Sequence, residues 1–210
     1  MSDPVPWIAV LAGASLLPFC LMATTSFIKI AVVLGLLRPA LGAPQIPPGS
    51  VVVILAAALS LSVMAPVGRH AWDRAQPHVT ALVDAEDPAH KRAALERSLR
   101  AIWGPLATFM QRQVREADLA RFQHHAQTDR DDPRALIPAF VVSELGAAFR
   151  IGFLVALPFL LVDLVVASVL MALGMQMMAP TTVSLPLKLL VFTSVDGWSR
   201  LASALMRTYA

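Results

Sequence analysis

Met171-Ala-Leu-Gly-Met-Gln-Met-Met-Ala-Pro-Thr-Thr-Val-Ser-Leu-Pro-Leu-Lys-Leu-Leu190 sets four methionines within eight positions and enters a turn bracketed by Pro180 and Pro186. It then resumes an apolar pattern around one cation, Lys188. Apolar chain enters, turns and leaves again, which reads as two helices joined by a greasy turn. Methionine is unbranched and polarizable, with three rotatable bonds, so clustered methionines form an apolar surface that re-packs around differently shaped partners. Spacing alone fits core or lipid-facing filler equally well, and the surrounding chain has to separate the two.

Apolar blocks extend on both sides. Ala135 to Met178 runs for 44 residues with three charges, Glu144, Arg150 and Asp163. A straight helix of that length is about 66 Å, more than two hydrocarbon thicknesses of a bilayer, so the pattern predicts a break at Pro158. Leu185 to about Met206 reads as one last helix carrying Lys188, Asp196 and Arg200. Val5 to Leu37 is apolar except for Ser15, Thr24, Thr25, Ser26 and Lys29. At roughly 50 Å it either breaks near Pro18 or buries its Thr-Thr-Ser-Phe-Ile-Lys end in protein. Lys29 favours burial, because a charge at the centre of a spanning helix costs about 2.5 to 3.5 kcal/mol; a lysine snorkelling to the interface is the alternative.

Arg38 to Gly49, dense in Pro and Gly, is a connection, and Val51 to Val67 is a run ending at Pro66 that is just long enough to span. The fold class is therefore all-α: apolar helical hairpins in 1–67 and 135–210, four or five apolar helices in all, flanking a polar insert at 68–134.

The chain of 210 residues is 57% hydrophobic and 15% charged, against about 25% charged in soluble domains. Of its 17 Lys or Arg and 14 Asp or Glu, 21 lie in the insert, eleven basic against ten acidic. No basic face results, which excludes nucleic acid as a partner. Cys20 is the sole cysteine and cannot form an internal disulfide. The absence of Lys or Arg before Lys29 is unlike a secretory signal, so the first apolar run is expected to be retained. His70, His78, His90, His124 and His125 show no metal-ligand spacing, and neither metal nor cofactor is expected.

Within the insert, Asp87-Pro88 is a helix start, an N-cap followed by proline at the first position. Leu95, Leu99, Ile102, Leu106 and Phe109 then recur at helical spacing, with a kink expected at Gly104-Pro105. Glu96 and Arg100 stand one turn apart for a weak pair. A second short helix, Glu116 to His125, carries Leu119 and Phe122. The insert reads as a small helical domain outside the lipid that leans on a neighbour.

Ions in apolar helices pair or face a cavity. Glu144, Arg150, Asp163, Lys188 and Asp196 supply three acids and two bases, enough for mutual compensation within the bundle or between copies; structural pairing is favoured over a proton relay. An intramembrane aspartyl enzyme using Asp163 and Asp196 is the rival from another class. It lacks a Gly-x-Gly-Asp context, and Asp196 precedes its glycine. A secondary transporter would need an inverted repeat and more helices.

Eight segments, in order, resemble the FliP/YscR (SctR) family of type III secretion and flagellar export: Thr25-Ser-Phe-Ile-Lys-Ile30, Leu36-Leu-Arg-Pro-Ala-Leu-Gly42, Pro138-Ala-Phe-Val-Val-Ser-Glu-Leu145, Ala148-Phe-Arg-Ile-Gly-Phe153, Pro158-Phe-Leu-Leu-Val-Asp-Leu-Val-Val-Ala-Ser168, Leu173-Gly-Met175, Leu185-Pro-Leu-Lys-Leu-Leu190 and Val195-Asp-Gly-Trp198. The resemblance implies a non-enzymatic subunit of a pentameric, helically arranged export gate in the bacterial inner membrane. Its assembled hairpins would be lifted largely to the periplasmic side, where the insert would also lie. The implied partners are further copies of the chain, SctS/FliQ-like and SctT/FliR-like membrane subunits, a SctU/FlhB-like switch protein and unfolded secretion substrates.

The resemblance also implies a methionine gasket at Met175, Gln176 and Met177, where Gln176 departs from the all-methionine form and Met178 compensates. It further implies a buried pair of Glu144 and Lys188 joining adjacent subunits; Lys29, Arg150, Asp163 and Asp196 are the other charges that the apolar runs are expected to bury. The uncharged N-terminus and short insert look more like the secretion-system branch than the flagellar one.

Overall fold

The computed structural model describes residues 15, 18–84, 87–175 and 177–209. Among these the regular structure is helical throughout, with no strand: α1 (Pro18–Thr24), α2 (Phe27–Ala40), α3 (Gly49–Asp84), α4 (Pro88–Gln113), α5 (Glu116–Ala126), α6 (Pro133–Ala172), α7 (Pro180–Ser194) and α8 (Gly197–Arg207). The chain divides into two compact units, one of Met1–Ser26 with Met64–Glu144 and the other of Phe27–Val63 with Leu145–Ala210.

The first unit holds the whole of the polar insert. Asp87 caps α4 as expected: its carboxylate accepts from the Ala89 N–H at 3.2 Å, and proline opens the helix. The helix continues through Gly104-Pro105. Only the C-terminal end of the predicted stripe is enclosed: Phe109 is buried and Leu106 half-buried, whereas Leu95, Leu99 and Ile102 are exposed and Ala94, Ser98, Ala107 and Met110 are buried in their stead. The first half of the helix buries small residues, and its leucines stay outward in the single chain. Phe109 meets Phe140 edge to face, centroids 6.0 Å apart. On α5, Leu119 is fully buried as expected.

The second unit has a continuous apolar core built from Ile30, Val33, Leu34 and Leu37 of α2, Val52 and Ala56 of α3, Ala148 and Phe159 of α6, Phe192 of α7, and Leu201 and Leu205 of α8. Gly152 permits the approach of α6 to α2, since a Cβ there would fall 2.4 Å from Leu36 Cδ1. The Thr-Thr-Ser-Phe-Ile-Lys stretch interrupts the helix at Thr25-Ser26 and is substantially buried, with Lys29 4% exposed. Lys29 Nζ lies 4.0 Å from the centroid of the Tyr209 ring, a cation–π contact in place of snorkelling.

Three boundaries depart from the sequence expectations. Pro158 does not break the long block, which is one helix of 40 residues, and Pro66 does not end α3, which runs on through Pro77. A proline removes one ladder hydrogen bond and strains one turn. The alanine- and leucine-rich sequence on either side re-forms the ladder, so the penalty stays local. Conversely, the last helix is divided: Val195-Asp196 separates α7 from α8, with Asp196 in the left-handed region at φ 52°.

Candidate functional site

The methionine turn is shorter than its prolines suggest. Pro180 already occupies the first turn of α7, where its missing N–H costs nothing, and Pro186 lies inside that helix. The connection is thus 173–179. It begins with a glycine-dependent stop: Gly174 has φ +72°, its N–H donates to the Met171 carbonyl at 3.1 Å, and the Met175 N–H donates to the Leu170 carbonyl at 2.9 Å. This is the Schellman arrangement, in which a left-handed residue satisfies the last helical carbonyls and reverses the chain.

The reversal throws the methionines outward. Met177 is fully exposed at 103%, Met175 and Met178 are about two-fifths exposed, and with Gly174 these three line a shallow open hollow. Leu173 and Met171 continue the apolar surface. Gln176 lies outside the described residues. Contiguous exposed apolar surface of this kind marks a place where another molecule sits.

The two helices leaving this loop are tied by charge. Lys188 on α7, 3% exposed, donates to Asp163 Oδ2 on α6 at 2.6 Å and to the Ala40 carbonyl at the end of α2 at 3.3 Å. One ammonium therefore joins three helices and caps the carbonyl end of one of them, where a cation is favoured. The sequence reading paired Lys188 with Glu144 between copies; within one copy, Asp163 takes that place. Glu144 is buried at 1% and belongs to the first unit. Lys29 is buried as expected, while Arg150 and Asp196 are exposed in the single chain. Asp196 sits at the α7–α8 corner, and the Asp163 carboxylate is engaged by Lys188, so the two acids are given different work.

One polar cluster went unnoticed in the sequence. Asp118 on α5, 5% exposed, accepts from the Ser143 hydroxyl at 2.7 Å and from Arg115 Nε at 2.8 Å, while the Arg115 N–H donates to Ser143 Oγ at 3.0 Å. The Ser143 bond, with Arg115 behind it, holds the Asp118 carboxyl below the usual carboxylate range despite the opposing effect of burial. The only local signal was the three-residue spacing of Arg115 and Asp118.

The sequence pattern of the FliP family matches residues 10–205. The chain belongs to the FliP family. It is 44% identical to a "Flagellar biosynthetic protein FliP" of Pectobacterium carotovorum over 98% of this chain and 78% of that one. It is also 40% identical to a "Harpin secretion protein HrpW" of Pseudomonas syringae, over 95% and 97%, and 39% identical to a "Yop proteins translocation protein R" of Yersinia pestis, over 100% and 98%. Consistent with membrane association of this FliP-family chain, α3 and α6 are each long and apolar enough to cross a membrane.

Proposed function

We propose that this chain is a subunit of the type III protein secretion export gate, non-enzymatic in itself, in which the 173–179 loops of several copies meet and close a polypeptide-conducting pore. The observation that carries the reading is the outward projection of Met175, Met177 and Met178 from a turn fixed at both ends, by the Gly174 reversal and by Pro180. A closed state needs an apolar ring that excludes water, and hydrophobic constrictions gate by dewetting. Passage of arbitrary unfolded chains needs contacts that do not discriminate, which flexible thioethers supply.

The ring is pentameric in this reading and includes SctS/FliQ-like, SctT/FliR-like and SctU/FlhB-like partners. It sits in the bacterial inner membrane with its core toward the periplasm. The Glu144–Lys188 contact between copies forms on assembly, beside the Asp163 bond that Lys188 makes within its own chain. Names of the relatives support the export assignment, since they belong to harpin, Yop and flagellar systems.

The flagellar export gate is the second reading, favoured by the 44% identity to a flagellar protein. Restoring effector secretion but not motility to cells lacking the respective subunit distinguishes the two. For the gate itself, the triple variant Met175→Ala/Met177→Ala/Met178→Ala is expected to assemble normally and leak small ions across the membrane. Unchanged permeability in a correctly assembled triple variant would count against the seal.

A further inference from the structure

The chain has nine methionines, and the fold treats them unequally. Met110 is fully enclosed, Met64 and Met206 are half-buried, and Met22, Met171, Met175 and Met178 are partly open. Among the described methionines only Met177 stands wholly in the open. The cause is local. The Met178 N–H donates to the Met175 carbonyl at 3.3 Å and closes a turn over 175–178, so Met177 sits at a corner where the chain reverses. That corner is held from both sides, by the left-handed Gly174 and by Pro180 opening α7.

Residues 171–179 carry no ionisable side chain, so protonation cannot change the polarity of this surface, whereas oxidation of sulfur can. With hydrogen peroxide as the oxidant, a sulfur lone pair attacks one peroxide oxygen. The O–O bond breaks as the S–O bond forms, and the departing hydroxide takes the proton of the transferred OH, leaving sulfoxide and water. Sulfur gives up the electron pair that the peroxide gains. An apolar, flexible side chain thereby becomes a polar one, and methionine sulfoxide reductases restore the thioether, so the change is reversible.

We propose that Met177 is a site of reversible oxidation by peroxide, and that its sulfoxide unseals the pore. Modification at Met177 needs only its exposure; the effect on the pore rests on the export-gate reading above. A dry constriction stays closed because its wall offers water no hydrogen bond. One sulfoxide oxygen from each copy supplies such an acceptor, and a polar group kept from water without a partner is costly, so the ring takes up water. Convergence of the loops narrows the axis but leaves sulfurs on its wall, where a solute as small as hydrogen peroxide arrives with the water on either side of the seal. Met175 and Met178, each partly covered, follow Met177.

The test treats membranes holding the assembled full chain with hydrogen peroxide and follows two readouts, peptide mass spectrometry for the position of each added oxygen and ion permeability. Met177 is expected to gain oxygen first, about tenfold faster than the enclosed Met110, because susceptibility follows exposure. Permeability is expected to rise in step with the Met177 sulfoxide fraction. In the Met175→Leu/Met177→Leu/Met178→Leu variant, whose assembly is checked on native gels, peroxide produces no rise over that variant's own untreated level. Oxidation of Met177 no faster than that of Met110 would overturn the modification site and leave the export-gate reading as it was. Met177 sulfoxide without a leak, where the triple alanine variant does leak, would overturn the effect on the seal alone. If neither leaks, the export-gate reading fails and the unsealing with it. An equal rise in the leucine variant would place the oxidant's target elsewhere and overturn the proposal.

Discussion

The methionine loop and the Lys188–Asp163 contact belong to the same pair of helices and invert the usual rule of burial. Loop side chains with no charge stand in the open, with Met177 wholly exposed, whereas an ammonium nearby is almost wholly enclosed. The enclosed charge already has a carboxylate and a helix-end carbonyl as partners within one chain. The exposed thioethers are incomplete, because none of the described residues covers them. What holds the hairpin together is therefore intramolecular, and what the hairpin presents is left for another molecule to finish.

The contrast implies that perturbing the ion pair damages the chain and perturbing the loop damages only its work. The largest expected effect is at Asp163. Asp163→Ala leaves the Lys188 ammonium enclosed without its carboxylate, a loss of about 3 kcal/mol, and Asp163→Leu/Lys188→Leu together recover most of it because no charge is then stranded. Thermal unfolding in detergent reads both.

Next comes Asp118, whose removal takes the acceptor from the buried Ser143 hydroxyl, while the half-exposed Arg115 side chain turns to water. Asp118→Asn is expected to cost about 1 to 3 kcal/mol at neutral pH. Because the folded pKa of Asp118 is depressed, its contribution is complete above the unfolded value of about 3.9 and is lost as pH falls through the folded value. Unfolding curves of wild type and Asp118→Asn should therefore converge only in strong acid.

Smallest is the backbone effect at the loop. Gly174→Ala places a Cβ on a left-handed residue and is expected to cost about 1 kcal/mol, whereas Gly35→Ala, in open space within α2, is neutral or stabilising by up to about 1 kcal/mol. Chemical denaturation of the two variants side by side checks the difference in sign.

Local chemistry was legible in the sequence wherever it needed no distant partner. Asp87-Pro88 announced the start of α4, and the lysine in Thr-Thr-Ser-Phe-Ile-Lys announced burial. Prolines misled in both directions. Pro66 and Pro158 look like stops, yet each costs one hydrogen bond within helices of 36 and 40 residues that absorb the loss. Pro180 looks like part of a turn and instead opens a helix. The leucine stripe of α4 has the right period for a core, but period fixes only which residues share a face: Leu95 and Leu99 stay outward, and of that set Phe109 is enclosed, beside Ala94, Ala107 and Met110.

Among the charges, composition offered five candidates for pairing, and only the tertiary structure selects Asp163 for Lys188. The methionine cluster itself was plain in the sequence. Its outward direction follows from Gly174 and the two hydrogen bonds that close α6.

The account rests on the loops of several copies converging, and cysteine cross-linking at Met177 measures that directly. Met177→Cys in a Cys20→Ser background, assembled in membranes and treated with a short bismaleimide, is expected to give covalent dimers of the chain that vanish when assembly is prevented. A chain that stays monomeric on denaturing gels, although intact assemblies are recovered from the same membranes, would contradict it.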